Sequence, residues 1–302
     1  MEIELNTAYS FSQKGQRDYQ EDSRFPDADI ALAEQRFFVV CDGVGGCEKG
    51  EVASQTVCKS IGKSMSQVDF RSDFTNDDFH RVLDVAYNAL DRVASKEKSD
   101  MGTTMTFVCF HEGGCTMAHI GDSRIYQIRP TEGIVYRSDD HSLVNSMVHN
   151  GMITPDEGLT HSQRNVITRF MEPVSADQNR CTATVIRTKD IKVGDYFLLC
   201  TDGVLHCASD DQLLQLARSS ESDESVMRQL AEMSKDSEDN NTAWLVSVKA
   251  IVPDENSFED EWCDDSAIAT RRLPRNLREH VEIKSVQKRV KGFRKWLNKL
   301  FK

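Results

Sequence analysis

Phe37-Phe38-Val39-Val40-Cys41-Asp42-Gly43-Val44-Gly45-Gly46 is the stretch on which the reading of this chain turns. Its five apolar residues are far too few to span a bilayer and read as a short strand. The strand ends on an aspartate followed by a glycine-rich turn. Three further aspartates sit in similar contexts: Asp122 in Ile120-Gly121-Asp122-Ser123-Arg124, Asp202 in Leu199-Cys200-Thr201-Asp202-Gly203, and Asp239 in Asp239-Asn240-Asn241-Thr242. An acidic pair, Glu21-Asp22, precedes all four. Taken singly, an Asp-Gly after a strand is more often a turn than a ligand. Taken together, carboxylates at converging strand ends make a hard oxygen cage of the kind Mg²⁺ or Mn²⁺ prefers, which points to metal-assisted hydrolysis.

Outward from that stretch, short apolar and alternating runs predict strands over 3–10, 36–41, 103–110, 114–120, 124–129, 181–187, 195–201 and 243–250. Gly113-Gly114 between two of these is a hairpin signal. Helical spacing predicts helices over 50–68, 76–95, 141–150, 209–219 and 222–235; between Asp77 and Val93 it puts Phe79, Val82, Leu83, Ala86, Leu90 and Val93 on one face. Runs of strands with helices in pairs, rather than strict alternation, imply an α+β sandwich of antiparallel sheets.

The bulk composition is ordinary for a soluble protein. The chain has 302 residues, 39% hydrophobic and 28% charged, enough to bury a full core. Its N-terminus is acidic and lacks a signal-peptide core. Nine scattered cysteines without a Cys-x-x-Cys pair fit a reduced, cytoplasmic setting and give no zinc spacing. Net charge is −12, unevenly spread: residues 271–302 hold twelve Lys or Arg against two Glu, a net of +10, leaving −22 on the rest. An acidic body is a poor partner for nucleic acid.

Hydrolysis of a phosphate monoester needs a water ionised near neutral pH and a way to neutralise the phosphoryl oxygens. Two metal ions about 3.5–4 Å apart supply both. The order of the motifs makes the case specific. Gly15-Gln16-Arg17-Asp18-Tyr19-Gln20-Glu21-Asp22 is followed by Cys41-Asp42-Gly43-Val44-Gly45-Gly46 and Gly102-Thr103-Thr104. Then come Gly121-Asp122-Ser123-Arg124, Asp140-His141-Ser142, Arg164 to Arg169, Thr201-Asp202-Gly203 and Asp239-Asn240-Asn241-Thr242. In this order, over about residues 8–250, the chain resembles the metal-dependent serine/threonine protein phosphatases of type 2C, particularly the bacterial members.

The resemblance implies a four-layer α-β-β-α sandwich of two antiparallel sheets flanked by helices. It also implies roles. Asp42 would bridge two Mn²⁺ or Mg²⁺ ions, with the Gly43 carbonyl on one of them and Asp202 and Asp239 on the other. Glu21 and Asp22 would act through waters, and Asp122 would belong to a third, weaker ion. Arg17 would clamp the substrate phosphate, a task suited to a planar guanidinium. Residues 141–170 would form the flap that bacterial members place beside the site. Val44 stands where many eukaryotic members have a histidine and bacterial members commonly an apolar residue, and Cys47 where bacterial members often have a histidine. Gln20 replaces the usual Asn. His141 and His206 read as structural rather than catalytic, and no nucleophile motif surrounds Ser123 or Ser142.

The expected organisation is a catalytic domain over 1–252, an acidic linker over 253–270 and a basic tail over 271–302. In the tail Ile283, Val286, Val290, Phe293, Leu297 and Leu300 form one stripe of a cationic amphipathic helix. Three readings stand side by side: the tail binds an anionic membrane surface, docks on a partner protein, or folds back onto the acidic body. The expected function is hydrolysis of phosphoserine and phosphothreonine in proteins, by a monomer, with no covalent intermediate and opposite a serine/threonine kinase. A phosphoprotein-binding module of low turnover and a phosphatase of a small phosphorylated metabolite remain as alternatives.

Overall fold

Successive side chains of the strand Phe37–Cys41 enter two different cores. Phe37, Val39 and Cys41 belong to one buried cluster, and Phe38 and Val40 to another. The unbroken apolar run therefore reflects an antiparallel strand covered on both faces, one by helices and one by a second sheet.

The computed structural model describes residues 1–97, 99–174 and 179–252. The expected linker 253–270 and tail 271–302 lie outside the described residues. In chain order the elements are β1 (Glu2–Leu5), β2 (Tyr9–Gln13), β3 (Ser23–Phe25), β4 (Phe37–Cys41), α1 (Gly50–Met65), α2 (Asn76–Glu97), β5 (Met105–His111), β6 (Gly114–Ile120), β7 (Arg124–Arg129) and β8 (Gly133–Arg137). After these come α3 (Leu143–His149), α4 (Pro155–Leu159), β9 (Thr184–Thr188), β10 (Tyr196–Cys200), α5 (Asp202–Leu205), α6 (Asp210–Ser219), α7 (Asp223–Ser234) and β11 (Asn241–Val252).

One antiparallel sheet runs β3-β4-β5-β6-β9. The other runs β1-β11-β10-β7-β8, with β2 also paired to β11. α1 and α2 cover the outer face of the first sheet through Val57, Ile61, Phe79 and Leu83, which pack with Phe37, Val39 and Phe107. Between the sheets lie Phe38, Val40, Phe110, Phe197, Leu199 and Trp244, and the Phe38 and Trp244 rings stand 5.2 Å apart. α6 and α7 cover the outer face of the second sheet with Leu213, Leu216, Val226 and Leu230. Ser209 and Gln212 form a reciprocal capping box at the start of α6, and Ser222 caps α7. The expected α-β-β-α sandwich is the fold observed.

The expected strand over 3–10 is instead two strands. β1 pairs with the far end of β11 (Leu5 opposite Val248), and β2 with its start (Gln13 opposite Asn241). Asn6 makes the break, donating from its backbone and its side chain to Ser247. β3, β8, α4 and α5 carry too few residues to show a period. β3 has three residues and is ordered by pairing with Val39 to Cys41. The Gly113-Gly114 hairpin joins β5 to β6 as expected.

Candidate active site

The acidic motifs fall on connections at one end of the paired sheets, and strand register brings them together. Ser23 pairs with Cys41, which sets Asp22 beside Asp42. Cys200 pairs with Ala243, which brings Asp202 to the start of β11, close to Asp239. Asp122 occupies the turn where the chain leaves β6 in one sheet and enters β7 in the other.

Hydrogen bonds tie these connections across the two sheets. Thr201 Oγ1 donates to Asp22 Oδ2 at 3.0 Å and accepts from the Thr242 N–H at 3.0 Å. Thr104 Oγ1 accepts from the Asp42 N–H at 3.0 Å, and its hydroxyl lies 2.7 Å from that of Ser123, beside Asp122. Gln20 donates to Ser12 Oγ and the Gln13 carbonyl and accepts from the Asp22 N–H. Thr104, Thr201, Gln20 and Asn240 lie within the quoted motifs, yet nothing in their spacing assigns them a task; adjacency to a carboxylate is the signal that marks them.

Two glycines are required by close approach rather than by dihedral angle. A Cβ on Gly43 would stand 2.5 Å from the Gly50 carbonyl carbon and 2.8 Å from the Glu21 oxygen. A Cβ on Gly203 would stand 2.0 Å from the Asn240 carbonyl oxygen. Each Asp-Gly pair thus lets a neighbouring backbone close over the aspartate.

The electrostatics record the convergence. Asp42 is partly buried, and burial together with the charges of Asp22, Asp202, Asp122 and Asp239 pushes its carboxyl far above the usual range. Burial likewise raises Asp22 to about 7 and Asp122 to about 8, and it raises Asp202 and Glu21. Arg17 donates from Nη2 to Asp239 Oδ2 at 2.6 Å, and the His206 ring Nε2 lies 3.9 Å from Asp202 Oδ2.

These residues fit a hard dication. Oδ1 of Asp22, Asp122 and Asp202 are buried carboxylate oxygens with no protein partner, an arrangement that is costly unless a cation shares the space. All the donors are oxygens, the set that Mg²⁺ and Mn²⁺ select over zinc. Among the described residues no three acidic, histidine or cysteine side chains form a closed ligand group by themselves.

None of three nearby positions offers a proton donor poised near neutral pH. Val44 has no ionisable group, and burial pushes the Cys47 thiol up to about 11, so it holds its proton. His141 is kept neutral by burial, with its pKa pushed down to about 3; its Nδ1 accepts from the Gly121 N–H and its Nε2 bonds to Thr184 Oγ1. It is a structural residue, as expected. The expected flap 141–170 contains α3 and α4 and closes on itself where Ser142 bridges Ile167. Its far end is fastened beside the site by the bridge between Met171 and Thr103.

Two sheets under paired helices thus carry a cluster of converging carboxylates at their shared end. The family model described as protein phosphatase 2C matches residues 19–248. The chain belongs to the protein phosphatase 2C family and is, by that membership, a protein phosphatase. It is 32% identical over 211 residues to the serine/threonine protein phosphatase PstP of Mycobacterium tuberculosis, covering 68% of this chain and 38% of that protein. It is 29% identical over 223 residues to the protein phosphatase PhpP of Streptococcus pneumoniae, covering 72% of this chain and 85% of PhpP. Among solved structures, the serine/threonine phosphatase Stp1 of Staphylococcus aureus superposes with a TM-score of 0.70 at 27% identity, covering 83% and 98% of the two chains. The PstP catalytic domain in complex with two manganese ions superposes at 0.66, with 26% identity and coverage of 82% and 100%.

Proposed function

We propose that residues 1–252 form the catalytic domain of a Mn²⁺- or Mg²⁺-dependent phosphatase that removes phosphate from serine and threonine side chains of proteins, in the cytoplasm and opposite a serine/threonine kinase. The observation that carries this reading is the converging set Asp22, Asp42, Asp122 and Asp202, in which Asp22, Asp122 and Asp202 each keep a buried carboxylate oxygen without a protein partner, with Arg17 beside it on Asp239. The names of PstP and PhpP and the two manganese ions of the PstP structure support the choice of substrate and ion.

Asp42 would stand between two ions, Gly43 would offer its carbonyl to one, and Asp202 and Asp239 would hold the other. Glu21 and Asp22 would orient water ligands, and Asp122 would serve a third, weaker position. When bound, such ions lower the pKa of a shared water and neutralise the phosphoryl oxygens. Arg17 holds the phosphate so that water approaches opposite the leaving serine or threonine oxygen. The Ser123 hydroxyl is buried and engaged with Thr104, which leaves no free side-chain nucleophile beside Asp122 and favours direct attack by water. The full set of carboxylates speaks for an enzyme over a binding module, because each buried charge lowers stability unless an ion uses it.

The test is hydrolysis of a phosphothreonine peptide in Mn²⁺, with and without chelator, by the wild-type chain and by Asp42→Ala. Turnover that survives chelation, or that survives Asp42→Ala, would falsify the proposal.

A further inference from the structure

Asn240 is buried, and its carboxamide makes three hydrogen bonds into one irregular loop. Nδ2 donates to the carbonyls of Lys14 (2.8 Å) and Tyr19 (2.9 Å), while Oδ1 accepts from the Glu21 N–H (2.7 Å). Residues 14–22 have neither helix nor strand of their own. Their path is set by these bonds and by Gln16, whose backbone N–H donates to the Ser237 carbonyl at 2.9 Å and whose side chain donates to the Asp236 carbonyl at 2.8 Å. The two carbonyls held by Asn240 bracket Arg17. On its other side the Asn240 N–H donates to Asp239 Oδ1 at 2.8 Å, while Asp239 Oδ2 takes Arg17.

We propose that Asn240 is a positioning residue for the phosphate clamp, its single carboxamide holding the Arg17 loop and Glu21 at a set distance from Asp239. The inference rests on the reading of Arg17 as the phosphate-binding group. Its chemistry is restrictive. Two donors and one acceptor at the end of a short side chain are what a primary amide offers and a carboxylate does not. Aspartate at this position would turn anionic oxygens toward two carbonyls, and glutamine would displace the same groups by one methylene. Alanine would leave the Glu21 N–H and both carbonyls without these partners.

The experiment compares the full chain with Asn240→Asp and Asn240→Ala on a phosphothreonine peptide in Mn²⁺. The expected result is a KM raised about tenfold with kcat changed by less than about threefold. On an Arg17→Ala background the same substitutions add less than about twofold, because groups that act through one another are not additive. An equal loss in both backgrounds, or a lower melting temperature with unchanged KM, overturns the proposal and leaves Asn240 a stabilising residue only. If Asn240→Asp does not fold, Asn240→Ser, which keeps one hydroxyl donor, carries the comparison. Should the wild-type chain fail to turn over the peptide, the functional reading fails by itself. Positioning is then read by calorimetry with inorganic phosphate in Mn²⁺: Asn240→Asp weakens binding about tenfold when Arg17 is present and leaves it unchanged when Arg17 is absent. Unchanged affinity with Arg17 present refutes it.

Discussion

Arg17 Nη2 meets Asp239 Oδ2 at 2.6 Å, although the two residues are 222 positions apart in the chain. The pairing, chiefly the hydrogen bond to Asp239, holds the guanidinium in its charged form. It also holds a half-exposed cation beside the acidic cluster.

Removing that cation has a directional outcome. A charged hydrogen bond is worth about 1.5–3 kcal/mol, so Arg17→Ala should raise KM for a phosphopeptide roughly ten- to hundredfold. Arg17→Lys should recover only part of the loss, because a point charge lacks the guanidinium's planar fork. Steady-state kinetics at saturating Mn²⁺ decide; a Lys variant equal to wild type would show that charge alone suffices.

Asp42→Asn and Asp202→Asn should act on stability and function in opposite senses. Each removes charge from a buried, mutually repelling set, so the metal-free protein should melt higher. Each should also weaken Mn²⁺ binding in calorimetry and lower kcat by at least about a hundredfold. A variant that melts lower in chelator would show that the carboxylate stabilises the fold itself.

The same charges set a pH dependence. Asp22 and Asp122 have folded-state values of about 7 and 8 against an ordinary 3.8, so the folded form binds their protons more tightly than the unfolded chain. Their contribution is fully present below pH 3.8 and is lost as pH rises through the folded values. Metal-free protein should therefore lose stability between about pH 4 and 8. Mn²⁺ should restore most of it at pH 8 and little at pH 5, where protons compete. Urea midpoints at both pH values, in chelator and in Mn²⁺, measure this; equal stabilisation by Mn²⁺ at the two would contradict it.

Gly203→Ala tests the close approach behind α5. Its Cβ would fall 2.0 Å from the Asn240 carbonyl oxygen, a backbone atom that cannot swing aside. The expected cost is about 2 kcal/mol or more, together with loss of turnover, because Asn240 and Asp239 must shift. Denaturant unfolding and peptide kinetics read the two effects. An alanine variant with wild-type stability would mean that the 202–205 turn relaxes freely.

The strand Phe37–Cys41, the α1 and α2 stripe and the Gly113-Gly114 hairpin were all legible along the chain, because each depends on residues within a few positions of one another. β3 and β8 were not, since strands of three and five residues at sheet edges exist through their partners' hydrogen bonds. The split between β1 and β2 has the same origin: the period continues, but β11 accepts the two halves at different places.

The carboxylates could likewise be picked out from their strand-end contexts, and their order in the chain pointed to the family. Their neighbours could not. Which oxygen of Asp22 takes Thr201, which of Asp239 takes Arg17, and that one amide at Asn240 ties three points of the 14–22 loop depend on how two sheets stack. Local pattern sets strand, helix and turn because those rest on sterics and on bonds a few residues apart. A site made from connections over two hundred residues apart is set by packing, and only the folded chain brings its charges close enough to act on one another.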